Sequence, residues 1–183
     1  MLEQAGVPCE AVTPQISEES IKMELRNAGA DSLRTAEALA ERKALAVAAS
    51  MPDRLVIGAD QVLDCDGTPF DKPKHRDDAL AQLKALRGRD HVLLTACAVA
   101  EGPSIAWRHT DRIVLRMRAA SDAFLDRYLD QMGERALDGP GAYQLEGLGA
   151  QLFERVDGDF FAVLGLPLLP LLGFLRERRV LPA

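Results

Sequence analysis

The sequence has only three cysteines, Cys9, Cys65 and Cys97, odd in number and far apart. That excludes a disulfide framework and any C-x-x-C motif, and reduced thiols in a cytoplasmic protein are the expectation. Histidine is as sparse. His75, His91 and His109 lack metal-ligand spacing, which excludes a His/Cys zinc centre. Positive charge is in the minority: 22 Lys and Arg against 28 Asp and Glu leave a net charge of −6. The broad basic surface that displaces counterions from nucleic acid is therefore missing, whereas a small anionic ligand needs only a few local cations. Long apolar runs are missing too. The most apolar segment, "FFAVLGLPLLPLLGFL" (Phe160 to Leu175), is shorter than the roughly 20 residues of a membrane helix and carries two prolines. It reads as a strand end followed by a core helix. No basic stretch followed by an apolar one marks a signal peptide. No repeat, low-complexity segment or long linker interrupts the chain.

What is present is an ordinary core. Apolar residues make up 48% and charged residues 27% of 183 residues, enough for one domain or two small lobes. "ISEESIKMELRNAG" reads as a helix entered near Ser17 and closed by Gly29. "SLRTAEALAERKALAVAAS" places Leu33, Ala36, Ala40, Ala44 and Val47 at helical spacing. "RDDALAQLKALRG" is a third helix, with Leu80, Leu83 and Leu86 inward and Gly88 as its stop. "SDAFLDRYLDQM" is a fourth, capped by Ser121, and Pro167 or Pro170 opens a last one. Between them lie extended stretches: "RLVIGADQVLDC", "HVLLTACAVAEG", "SIAWRHTDRIVLRM", and a segment around Asp157-Gly158. Alternating strands and helices with hairpin turns predict an α/β protein with a central mixed sheet.

One strand is unusual. In "RLVIGADQVLDCDG" an apolar run, Leu55 to Ile57, gives way to Gly58, Asp60 and Gln61. A hairpin turning on Asp66-Gly67 would put Lys72 opposite Gln61 and beside Asp60, with Pro73 setting the chain direction. Two readings follow: a salt bridge at a sheet end, or a phosphate-and-metal site in which Asp60 holds a cation or water and Lys72 neutralises phosphate. Glu18 and Glu19 sit at a helix start, where acids suit the dipole whether or not they have another role. Lys43 stands among alanines, where a lysine is ordinarily solvated. "GAYQLEGLG" (Gly141 to Gly149) is either a plain turn or a backbone able to wrap a flat ligand.

In order along the chain, "ISEES", "ALAERKA", "VIGADQVLDCDGTPFDKP", "ALAQLKALRGRDHVLLTA", "GPGAYQLEGLG" and "GDFFAVLGLPLLPLLGFL" resemble the Maf family of nucleoside triphosphate pyrophosphatases. The resemblance implies a two-lobed α/β fold with a twisted, mixed sheet and a cleft between the lobes. It implies a homodimer, and cleavage of a nucleoside triphosphate between its α- and β-phosphates with Mg²⁺ or Mn²⁺. It makes Asp60 the proton acceptor and a metal ligand, and Glu18 a further metal ligand, with Ser17 where the family has aspartate. It makes Lys43 and Lys72 phosphate-site lysines, and ties Gln61 and Glu146 to substrate choice.

Members acting on dTTP and UTP carry threonine and glutamine at the last two positions, whereas the Gln61 and Glu146 pair resembles members acting on 7-methyl-GTP. A carboxylate can accept two hydrogen bonds from the N1–H and 2-amino group of guanine, while uracil and thymine offer one N–H between two carbonyls. The alternatives are a dTTP/UTP pyrophosphatase and a non-catalytic nucleotide-binding protein of septum formation. Two departures stand out. The family opens with a strand and an S-x-S-P-R-R loop, whereas "MLEQAGVPCE" resembles the later part of the helix that follows. Residues 1–183 are therefore read as a single Maf-like domain, N-terminally truncated. Asp71 also stands where the family has glycine before Lys-Pro.

Overall fold

The computed structural model describes residues 1–182. A short 3-10 turn at Glu3–Ala5 precedes α1 (Glu18–Asn27) and α2 (Ser32–Ala48). Then come β1 (Leu55–Cys65), β2 (Thr68–Phe70), α3 (Arg76–Leu86), β3 (Asp90–Glu101), β4 (Ser104–Met117) and α4 (Asp122–Met132). Three 3-10 turns lead to β5 (Phe153–Asp157), α5 (Phe160–Val163) and α6 (Leu168–Glu177). The predicted helices form where their caps place them. Ser17 Oγ accepts from the Ser20 amide, Asp31 from Arg34 and Ser121 from Phe124, each satisfying a first-turn N–H. Pro170 is tolerated because it falls in the first turn of α6, where the N–H has no partner within the helix. Two apolar expectations shift. Leu33 is exposed, and α3 buries Ala79 with Leu83 and Leu86 while Leu80 is only half-buried.

The five strands form one sheet in the order β2-β1-β3-β4-β5. The α/β class is as read, but the sheet is antiparallel rather than mixed. β1 and β2 pair antiparallel, as do β4 and β5. Gln61 reaches Thr95 and Cys65 reaches Asp90, so β1 and β3 also run in opposite directions. The reason lies in the connection through α3. β2 and β3 are parallel to each other, but α3 carries the chain across to the far side of β1, so the parallel strands are never neighbours. The β1–β2 turn is the expected one: Asp66 and Gly67 both have positive φ (52° and 79°), and Asp64 Oδ1 accepts from the Gly67 amide at 2.8 Å.

The described chain divides into two compact units: residues 1–61, 95–111 and 159–182, and residues 62–94 with 112–158. In the first, Cys97 and Val99 of β3 pack with Leu171, Phe174 and Leu175 of α6, and Leu55, Ile57 and Ala59 of β1 join them. A second cluster sets Val56 and Ala100 against Ala44, Val47 and Ala48 of α2. In the other unit, α3 packs on α4 and on the 3-10 turns that follow it. Leu63, Leu83, Leu125 and Leu152 are fully buried. All three cysteines are free thiols, Cys65 and Cys97 buried and Cys9 exposed. No described helix is long and apolar enough to cross a membrane.

Candidate functional site

The charged centre of the first unit starts from a glycine. A Cβ on Gly58 would lie 2.3 Å from the Ala40 carbonyl oxygen and 2.6 Å from the Ala44 amide. The backbone of α2 therefore rests directly on β1, a contact that any other residue would block. Two residues on, and on the same face of the strand, Asp60 meets Lys43, which lies between Ala40 and Ala44 in the same turn of α2. Lys43 Nζ donates to Asp60 Oδ1 at 2.7 Å and lies 2.8 Å from Glu18 Oε1. Glu18 is the first residue of α1, which Arg42 ties to α2 by a two-pronged bond to Glu24 (2.7 and 2.8 Å).

Exposure grades outward through this cluster: the side chain of Asp60 is 9% exposed, Lys43 19% and Glu18 48%. The electrostatics follow. Burial pushes the Asp60 carboxyl above its ordinary range, against the pull of the Lys43 bond. Burial works on Lys43 in the opposite sense, but its bonds to Asp60 and Glu18 together outweigh it and hold the ammonium above its usual range. The centre thus holds a fixed cation beside a carboxylate of strengthened basicity.

Gln61 points to the opposite face. Its Nε2 donates to Thr95 Oγ1 (2.8 Å) and to the carbonyls of Ala162 (3.0 Å) and Val163 (3.2 Å). Thr95 Oγ1 in turn donates to the Ala162 carbonyl at 2.8 Å. Strand alternation explains this: adjacent residues of β1 face opposite sides, so Asp60 joins α2 while Gln61 closes the end of α5. Thr95 was not singled out from the sequence, although a lone hydroxyl inside "HVLLTACAVA" was a signal.

The other two candidates lie in the second unit. The hairpin register, Leu63 with Phe70 and Cys65 with Thr68, would bring Lys72 opposite Gln61 only if the ladder continued. β2 ends at Phe70, Lys72 is exposed in the segment that follows, and the ammonium that pairs with Asp60 is that of Lys43. Glu146 is exposed near the middle of the "GAYQLEGLG" loop. The glycines there serve the loop's own packing. A Cβ on Gly141 would strike the Tyr143 ring at 2.5 Å, and one on Gly149 would strike the Gln144 carbonyl oxygen at 2.4 Å. Gln82 links the two segments, donating to the Asp71 carbonyl and accepting from the Gly141 amide, both at 2.8 Å.

The family described as Maf-like protein matches residues 1–178. The chain belongs to the Maf family. It is 51% identical to a nucleoside triphosphate pyrophosphatase of Paramagnetospirillum magneticum, over 97% of this chain and 91% of that protein. It is 47% identical to one of Granulibacter bethesdensis, over 99% of this chain and 92% of that protein. It is also 43% identical to a 7-methyl-GTP pyrophosphatase of Rhizobium meliloti, over 97% of this chain and 89% of that protein.

Proposed function

We propose that this chain is a nucleoside triphosphate pyrophosphatase that takes 7-methyl-GTP or a similarly modified purine nucleotide. The observation that carries the reading is the Lys43 ammonium held between Asp60 and Glu18, and the names of the relatives support it. In the proposed reaction a water oxygen bonds to the α-phosphorus, the bond to the bridging oxygen breaks, and pyrophosphate leaves. Asp60 accepts the water's proton, a task suited to a carboxylate whose affinity for protons burial has raised. Lys43, charged at neutral pH, neutralises the phosphates and the leaving group. Lys72 adds a second cation by resemblance.

Mg²⁺ or Mn²⁺ fits the donors present. Two hard carboxylates already converge on one cationic atom, the Lys43 ammonium. Among the described residues no group of three or more His, Cys, Asp and Glu could hold a metal. Glu18 and Asp60 would therefore share the ion with substrate phosphates and water. When bound, it would supply further charge neutralisation to the phosphates.

Substrate choice is assigned to Glu146, whose carboxylate can accept from both N1–H and the 2-amino group of guanine and favours the positive charge of the 7-methylated ring. Gln61, with its amide nitrogen already committed to Thr95 and α5, would act by holding the middle of β1, beside Asp60, in place. Assembly as a homodimer and a cytoplasmic location belong to the same proposal. Light scattering on the purified protein decides the first.

The test is pyrophosphate release from 7-methyl-GTP, GTP, UTP, dTTP and ITP with Mg²⁺. The expected result is the highest kcat/KM on 7-methyl-GTP, with Asp60→Asn lowering it about 10²–10⁴-fold, the usual worth of a positioned general base. No turnover of any nucleotide overturns the reading.

A further inference from the structure

A buried polar cluster in the second unit lies outside the charged centre. His91, the second residue of β3, is 2% exposed. Its Nε2 is 3.0 Å from Tyr143 Oη, and its Nδ1 is buried with no hydrogen-bond partner. The imidazole is packed against two aromatic rings, with centroids 5.7 Å from Tyr143 and 5.9 Å from Phe153. Those two rings meet edge-on at 4.8 Å. Burial holds the imidazole neutral, with its pKa lowered to about 4, so the bond to the phenol is between uncharged groups. A histidine placed only to fill space would be a poor choice here, since an unpartnered ring nitrogen in such a site has a cost that phenylalanine or leucine avoids.

What His91 touches gives the cost a purpose. Tyr143 stands at the base of the Gly141–Gly149 loop, directly after two residues with positive φ, Gly141 at 81° and Ala142 at 59°. An alanine at 59° is held there by its surroundings, because that conformation is unfavourable for any residue with a Cβ. Tyr128 Oη bonds the Ala142 carbonyl (3.1 Å) and Gln82 Oε1 accepts from the Gly141 amide (2.8 Å). These two bonds fix the loop before Tyr143. The His91–Tyr143 bond fixes Tyr143 itself, three residues before the exposed Glu146.

We propose that His91 is a positioning residue that acts through Tyr143, setting the conformation of the Gly141–Gly149 loop and with it the placement of Glu146. For catalysis this deepens the substrate assignment above and rests on it. For loop conformation it does not.

Two measurements separate those parts. Amide hydrogen exchange of residues 143–149 is compared in the wild type, His91→Phe, His91→Gln and Tyr143→Phe. The last removes one hydroxyl and keeps the ring packing, so it reports even if His91→Phe does not fold. The expected result is exchange about tenfold faster in the loop for His91→Phe and Tyr143→Phe, with amides of α3 and α4 unchanged and partial recovery in His91→Gln. The double variant should be no faster than either single one. Loop exchange that stays at the wild-type rate in Tyr143→Phe overturns the proposal. The second measurement is the ratio of kcat/KM on 7-methyl-GTP to that on UTP. It should fall about tenfold in Tyr143→Phe through KM for 7-methyl-GTP, with kcat on UTP unchanged. An equal loss on both substrates overturns the link to Glu146. If the wild type turns over neither nucleotide, the proposed function fails, and the exchange result still decides the role of His91.

Discussion

Lys43 and Asp60, seventeen residues apart in the chain, meet at 2.7 Å because Gly58 lets the backbone of α2 lie against β1. Secondary structure alone does not produce that contact. It depends on a missing side chain two residues from the carboxylate.

Gly58→Ala should therefore be far more damaging than its size suggests. The new methyl meets backbone atoms at 2.3 and 2.6 Å, and these cannot rotate away. Overpacking of this kind costs about 3 kcal/mol, or a Tm lower by roughly 6–12 °C in a chain of this length. Activity should fall as well, since α2 must lift Lys43 off Asp60. Thermal unfolding followed by circular dichroism gives the first number. A Tm within about 2 °C of wild type would contradict the argument.

Lys43→Met leaves a largely buried carboxylate without its cation, at a cost of about 2–4 kcal/mol. Lys43→Met combined with Asp60→Asn removes the uncompensated charge and should recover most of that stability. Neither variant should recover turnover. Urea unfolding of the two single variants and the double variant measures the coupling, which vanishes if the ion pair is an incidental surface contact.

The acid limb of kcat/KM should report Asp60. Burial raises its folded-state pKa, so the rate should climb through a midpoint above the ordinary carboxylate value of about 3.9. Stability has the opposite dependence for this group. Its contribution is fully present below the unfolded pKa and is lost as pH rises through the folded value. Lys43, also raised, keeps its charge and its contribution until pH passes its ordinary value near 10.4. A pH–rate profile with its acid midpoint below 3.9 would rule out Asp60 as the base.

His91 should make the fold acid-sensitive. Its pKa is depressed to about 4, so its contribution is complete above the unfolded value near 6.5 and is lost as pH falls from there through 4. The difference is on the order of 3 kcal/mol across that window. Unfolding free energies at pH 7.5 and 4.5 should converge in His91→Phe. If the variant keeps the full wild-type pH dependence, another group is responsible.

Glu146→Gln should reverse substrate preference. The amide replaces one of two acceptors with a donor, which opposes guanine and suits a pyrimidine carbonyl. The expected change is a fall of about 10–100-fold in kcat/KM on 7-methyl-GTP with little loss on UTP. Equal losses on both substrates would remove Glu146 from base selection.

Much of this protein was legible in the chain. Helix caps at Ser17 and Ser121, the Asp66-Gly67 turn and the apolar spacing of α2 and α3 are local signals, decided by atoms a few residues apart. The chemical types at the candidate site, two acids and a lysine, were visible for the same reason. Which of them meet was not. Reflection about the hairpin pointed to Lys72 as the partner of Asp60, yet β2 ends at Phe70 and the ammonium comes from α2. Neighbours in sequence, Asp60 and Gln61, part to opposite faces of the sheet. His91 finds Tyr143 from 52 residues away. Local sequence determined the elements, because capping and periodicity act over one or two turns. Only the tertiary structure decided the pairings, because close packing and burial depend on which distant faces have room for one another.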